Sequence, residues 1–95
     1  MKTTDEKQKF TNVIIKEGRC GFHGVYDFLV NTDKHSSYKV TVRTVVKTPT
    51  STVTEEFDKV IISNAGGKLN LGCTKGGSIP ASAEYSRRVV GEVKL

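Results

Sequence analysis

The chain contains no tryptophan, only two prolines and two cysteines, and one methionine in 95 residues. Four Phe and three Tyr are its only aromatics, which leaves little material for stacking on nucleic-acid bases. No apolar run reaches the length of a membrane-crossing helix. Met1 to Lys9 is polar and holds no stretch of signal-peptide type, so the expectation is either a cytoplasmic chain or one whose secretion signal has been removed. No glycine motif follows a strand and opens a helix, which leaves a nucleotide cradle unsupported. No helix of two turns, no repeat and no low-complexity segment is legible.

What is present has the composition of an ordinary globular chain, 36% hydrophobic and 26% charged. The length suits one domain with one core, expected over residues 10–95 behind a frayed tail at residues 1–9. Fifteen Lys plus Arg against ten Asp plus Glu give a formal charge of +5, which favours weak attraction to anionic surfaces without naming a partner.

The strongest pattern is the alternation of Val40, Val42 and Val46 with Lys39, Thr41, Arg43 and Lys47. A strand that is apolar on one side and charged on the other belongs to an antiparallel sheet with one face on a core. Other segments read similarly: Phe10 to Lys16, Val25 to Asn31 with Tyr26, Phe28 and Val30 on one face, Thr52 to Ser63, Lys68 to Cys73, and Tyr85 to Leu95. Between them lie turn and loop stretches: Glu17 to Gly24, Asn31 to Ser37, Thr48 to Ser51 around Pro49, Asn64 to Gly67, and Thr74 to Ala83.

The turn at Pro49 suggests a register in which Lys47 opposes Thr52, Val46 opposes Val53, Val42 opposes Phe57 and Arg43 opposes Glu56. In that register Phe57 is a core residue and the basic stripe is compensated by Glu56 and Asp58.

If strand direction alternates in sequence order, Glu17 to Gly24, Thr48 to Ser51 and Thr74 to Ala83 gather at one end, with Asn31 to Ser37 and Asn64 to Gly67 at the other. Cys20 and Cys73 then share an end. A disulfide between them is expected, with two free thiols as the alternative, since two cysteines without a motif spacing do not specify a bridge. A bridge implies an oxidising compartment.

Chemistry is sparse. Cys20, His23, His35 and Cys73 could nominally supply zinc ligands, but His35 belongs to the opposite end. A Cys20 nucleophile with His23 as base lacks an orienting group. Asp27, Asp33, Glu55 and Glu56 read as exposed carboxylates on turns or strand faces. The expectation is a chain that is not an enzyme, with no cofactor and no metal.

The run Tyr26, Phe28, Val30 and Asn31, the strand Tyr38-Lys39-Val40-Thr41-Val42, and Val60 to Ile62 before the Asn64-Ala65-Gly66-Gly67 turn and Leu69-Asn70-Leu71 resemble immunoglobulin-like or fibronectin-type β-sandwich domains of bacterial surface and periplasmic proteins. The pattern departs from that group in having no core tryptophan and cysteines at strand margins. The resemblance implies an all-β, antiparallel immunoglobulin-like sandwich of six to seven strands, serving as a spacer, accessory module or binding surface. It also implies a secreted, periplasmic or cell-surface location, with the cytoplasm as alternative.

Three functions compete. The first is a monomeric module that binds a protein or surface partner through end-loop residues Arg19, Phe22, His23, Lys75, Ser78 and Ile79, where Phe22 and Ile79 are apolar anchors or plugs of the core. The second is a small enzyme inhibitor like the immunoglobulin-like cysteine-protease inhibitors, whose Asn-Pro-Thr-Thr-Gly run is missing here. The third, less favoured, is nucleic-acid binding by Lys39, Arg43, Lys47, Arg88 and Lys94.

Overall fold

The computed structural model describes residues 10–21, 23–48, 54–76 and 83–95. They form seven strands and, among the described residues, no helix: β1 (Asn12–Cys20), β2 (Gly24–Asn31), β3 (Tyr38–Lys47), β4 (Glu55–Ser63), β5 (Lys68–Cys73), β6 (Lys75–Gly76) and β7 (Ala83–Lys94). Two antiparallel sheets result, with strand orders β1-β2-β5 and β4-β3-β7-β6. They pack in the manner of a sandwich around Leu29 of β2 and Tyr38, Val40 and Val42 of β3, with Ile14, Ile61, Leu71 and Val89 closing the cluster. The alternation in β3 therefore has its expected cause: Val40 and Val42 are buried while Lys39 faces water.

β1 continues past Lys16 to Cys20, where the sequence suggested a loop. Gly18, at φ +83°, sits at a bulge between Glu17 and Arg19 and absorbs one residue without ending the ladder. The connection to β2 shrinks to residues 21–23, in which Gly21 (φ +57°) and His23 (φ +64°) take left-handed backbone.

The facing of β2 is the reverse of the sequence expectation. Asp27, Leu29 and Asn31 point between the sheets and are buried, while Tyr26, Phe28 and Val30 are half-buried on the outside. Outside, Lys68 Nζ lies 4.7 Å from the Phe28 ring centroid and covers it. Burying two polar side chains is tolerated because both are fully bonded. Asn31 Nδ2 donates to the carbonyls of Ser36 (2.9 Å) and Asn64 (3.1 Å), and its Oδ1 accepts from Asp33 N (2.9 Å).

The β3–β4 register also differs, by two residues: Val42 opposes Lys59, Arg43 opposes Asp58 and Thr44 opposes Phe57. A shift of two leaves every side chain on the same face, so Arg43 still meets acid. It bonds Asp58 twice, at 2.8 and 3.1 Å, and lies 3.4 Å from Glu56. That pairing holds the Asp58 carboxyl below its usual range. Phe57 lands on an edge strand with 48% of its surface exposed and is not a core residue. The turn at Pro49, the strand start at Thr52, and the opposition of Val46 and Lys47 to Val53 and Thr52 involve residues outside those described, as does the tail 1–9. Val46 itself opposes Glu55.

Among the described residues, the two ends of the molecule sort as strand direction suggested. At one end Gly66 N donates to Asp33 O (2.9 Å), joining the 32–37 and 64–67 turns. There Glu92 of β7 accepts from Thr11 N (2.8 Å), Asn12 N (2.9 Å) and Asn12 Nδ2 (3.0 Å), while Ser63 Oγ donates to Asn12 Oδ1 at 2.6 Å. This polar knot ties β1, β4 and β7 together. Burial alone would raise the Glu92 carboxyl, but the Asn12 side chain and the Thr11 and Asn12 backbone groups outweigh it and hold it below the ordinary value.

Candidate functional site

The opposite end is built around a disulfide. Cys20 closes β1 and Cys73 closes β5, strands that flank β2, and the two are bonded with their Cα atoms 5.8 Å apart. The bridge runs over Gly24 of β2. A Cβ there would lie 2.6 Å from the Cys20 carbonyl oxygen and 2.9 Å from Cys73 Sγ, so only glycine leaves room. With both sulfurs in the bridge, neither the four-ligand zinc set nor a Cys20 nucleophile is available.

One residue beyond the bridge, Thr74 turns the chain from one sheet to the other. Its N–H donates to Val25 O (2.8 Å), its Oγ1 accepts from Val25 N (3.0 Å), and its carbonyl accepts from Tyr85 N (2.8 Å). Lys75 and Gly76 then pair with Glu84 and Ala83 as β6, in a stretch the sequence suggested was wholly loop. β7 begins at Ala83, two residues earlier than expected.

Behind this corner lies an ion cluster that the sequence did not reveal. Asp27, expected on an exposed face, is fully buried. Lys16 Nζ and Arg87 Nη1 each donate to it at 2.9 Å, and Arg87 also reaches the Gly72 (3.3 Å) and Cys73 (3.2 Å) carbonyls. The guanidinium carbon stands 5.1 Å from the Tyr85 ring centroid. The only local signal was a lone acid inside the apolar run Gly24-Val25-Tyr26-Asp27-Phe28-Leu29; its partner Arg87 is 60 positions away.

In front of the corner is an open hollow of about 320 Å³ lined by Lys16, Val25, Val45, Lys47, Lys75 and Tyr85, among others. Three of its charged lining residues are lysines and the fourth is Glu84. Glu84 lies between Lys47 on β3 and Lys75 on β6, directly opposite both. Its carboxyl is held low by the Lys75 hydrogen bond first, with Lys47 adding to the effect. One carboxylate thus serves two lysines, and Lys47 has no ion pair of its own among the described residues. Behind it Asp27 likewise serves both Lys16 and Arg87. The surroundings of the hollow hold two more positive charges than negative ones.

A second hollow of about 520 Å³, lined by Arg19, Gly21, His23, Gly24 and Val25, shares Val25 with the first. Of the six end residues singled out from sequence, Arg19, His23 and Lys75 therefore fall at this one end. Phe22, Ser78 and Ile79 lie outside the described residues. The sequence missed Lys16, Val45 and Tyr85 as parts of this surface, because they sit on strands and reach it only through the sheet-to-sheet corner.

Comparison with known proteins yields no relative: no family model matches the chain, and no curated protein and no solved structure matches it.

Proposed function

We propose that this chain is a non-catalytic binding module that engages an acidic protein surface through its disulfide-stapled end. The observation that carries this reading is the charge balance around the hollow, where Lys16, Lys47, Lys75 and the Arg87 behind them are set against two carboxylates, Asp27 and Glu84. The rigid setting adds to it. The bridge, Gly24 and Thr74 fix the corner before any partner arrives, so little ordering entropy is lost on binding. Two antiparallel sheets of three and four strands support keeping the immunoglobulin-like resemblance within this proposal. The bridge supports an oxidising, extracytoplasmic setting. The face around Arg43 is a weaker candidate, because Arg43 and Arg88 are matched there one for one by Asp58 and Glu56, with no excess of positive charge.

The test is binding of a fluorescent poly-glutamate peptide at low salt. Lys47→Glu and Lys75→Glu should each weaken capture by about tenfold, and Lys39→Glu should leave it unchanged. Equal losses in all three variants would show a non-specific cationic surface. Tighter binding of single-stranded DNA, with a steep salt dependence, would replace the acidic partner with a phosphate backbone.

A further inference from the structure

Of the four edge strands, β1 and β5 in one sheet and β4 and β6 in the other, β6 is two residues long and Cys73 ties β5 to β1, while β1 and β4 are the longest and are finished differently. β1 is interrupted by the Gly18 bulge and anchored by Cys20. β4 pairs with β3 without a break from Ser63 to Glu55 and has no strand on its outer side among the described residues. Long, flat, unbulged edges are templates for another strand, and isolated proteins usually blunt them. Instead β4 exposes apolar side chains: Phe57, Val60 and Ile62 are 48%, 57% and 52% exposed. Beside it, the gap between the sheets forms a hollow of about 350 Å³ in which Val42, Ile61, Leu69 and Leu71 line the wall alongside polar groups such as Lys59 and Asn70.

The charge order along β4 selects what can pair there. Glu55, Glu56 and Asp58 occupy its first half, and Val60, Ile61 and Ile62 its second. Two copies aligned in parallel would stack the acids on one another. An antiparallel two-fold pairing sends the acidic halves to opposite ends. Centred on Asp58 or Lys59 it would oppose like charges; centred on Val60 it opposes Val60 to Val60, Asp58 to Ile62 and Lys59 to Ile61, with residues 57–63 in the ladder. That is the longest ladder without opposed like charges. We infer that β4 is the pairing edge of a two-fold dimer, in which two copies join their four-stranded sheets antiparallel about Val60. This departs from the monomer expected from sequence, and it leaves the disulfide end of each copy free.

Sedimentation of the intact, oxidised chain between about 10 µM and about 1 mM, the regime of small interfaces, should show the mass rise toward twice the monomer. Val60→Lys, which sets two lysines across the axis, should hold the mass at monomer with an unchanged melting temperature. Ile62→Lys, which sets a lysine opposite Asp58 of the second copy, should retain the dimer. Val60→Cys should cross-link to a covalent dimer on mild oxidation. A monomer throughout the range overturns the inference, as does a dimer insensitive to Val60→Lys. Loss of the dimer in Ile62→Lys, or absence of the cross-link in a dimeric Val60→Cys sample, overturns the register.

Discussion

Arg87 Nη1 donates to Asp27 Oδ2 at 2.9 Å across the gap between the sheets, with the Arg87 side chain only 11% exposed and that of Asp27 fully buried. Removing one partner leaves the other charge uncompensated in the interior. Asp27→Ala should therefore cost about 3–5 kcal/mol in chemical unfolding, and pairing Asp27→Leu with Arg87→Met should recover most of it. Lys16 is the contrast: its side chain is 59% exposed, so Lys16→Ala should cost under about 1 kcal/mol. A loss below 1 kcal/mol for Asp27→Ala would mean that the pair is solvated.

Reduction of the Cys20–Cys73 bridge, which joins residues 53 positions apart, should lower stability by about 4 kcal/mol on the loop-entropy account. Gly24→Ala should be destabilising in both redox states, because its Cβ meets the Cys20 carbonyl as well as the sulfur. In a Cys20→Ser, Cys73→Ser background the Gly24→Ala penalty should shrink without vanishing. A penalty that vanishes would assign the whole clash to sulfur.

Acid sensitivity should trace in part to Glu92. Its folded carboxyl sits below the ordinary 4.5, so it contributes stability that is present above that pH and is lost as pH falls through the depressed folded value. Glu92→Gln turns an amide donor toward the Thr11 N–H or leaves it unbonded. The variant should lose about 1–3 kcal/mol at neutral pH and show a shallower acid limb in the melting profile. An identical acid limb in both proteins would place the sensitivity elsewhere.

Phe57→Ala should cost only about 1 kcal/mol, since the residue is already about half exposed. Leu29→Ala, in the fully buried cluster, should cost about 2–5 kcal/mol. The reverse ranking in thermal unfolding would return Phe57 to the core.

That reassignment of Phe57 shows where the sequence stops being informative. β3 was legible because its core face is apolar and its water face charged, and the turn at 64–67 because Asn and Gly mark it. The β3–β4 register was not, because Glu56 and Asp58 are both acids on one face and either satisfies Arg43. The inward face of β2 is not legible from its apolar side chains, because Tyr26, Phe28 and Val30 lie on the outer side. Asp27 and Asn31 face inward on the strength of Arg87 and the 36 and 64 carbonyls, groups supplied by the tertiary fold. At the candidate site, strand direction alone brought Cys20 and Cys73 to one end. Lys16, Val45 and Tyr85 join them there only through the Thr74 corner, which no local pattern announces.

Nuclear magnetic resonance can locate the binding surface residue by residue. Amide shifts of the ¹⁵N-labelled protein would be followed as a poly-glutamate peptide is added, at a protein concentration too low for β4 pairing. Perturbations should concentrate on Lys16, Val25, Val45, Lys47, Lys75 and Tyr85, fade as salt is raised, and disappear in a Lys47→Glu, Lys75→Glu variant. Perturbations centred on Arg43 and Arg88, or scattered evenly over every surface lysine, would contradict binding at the disulfide-stapled end.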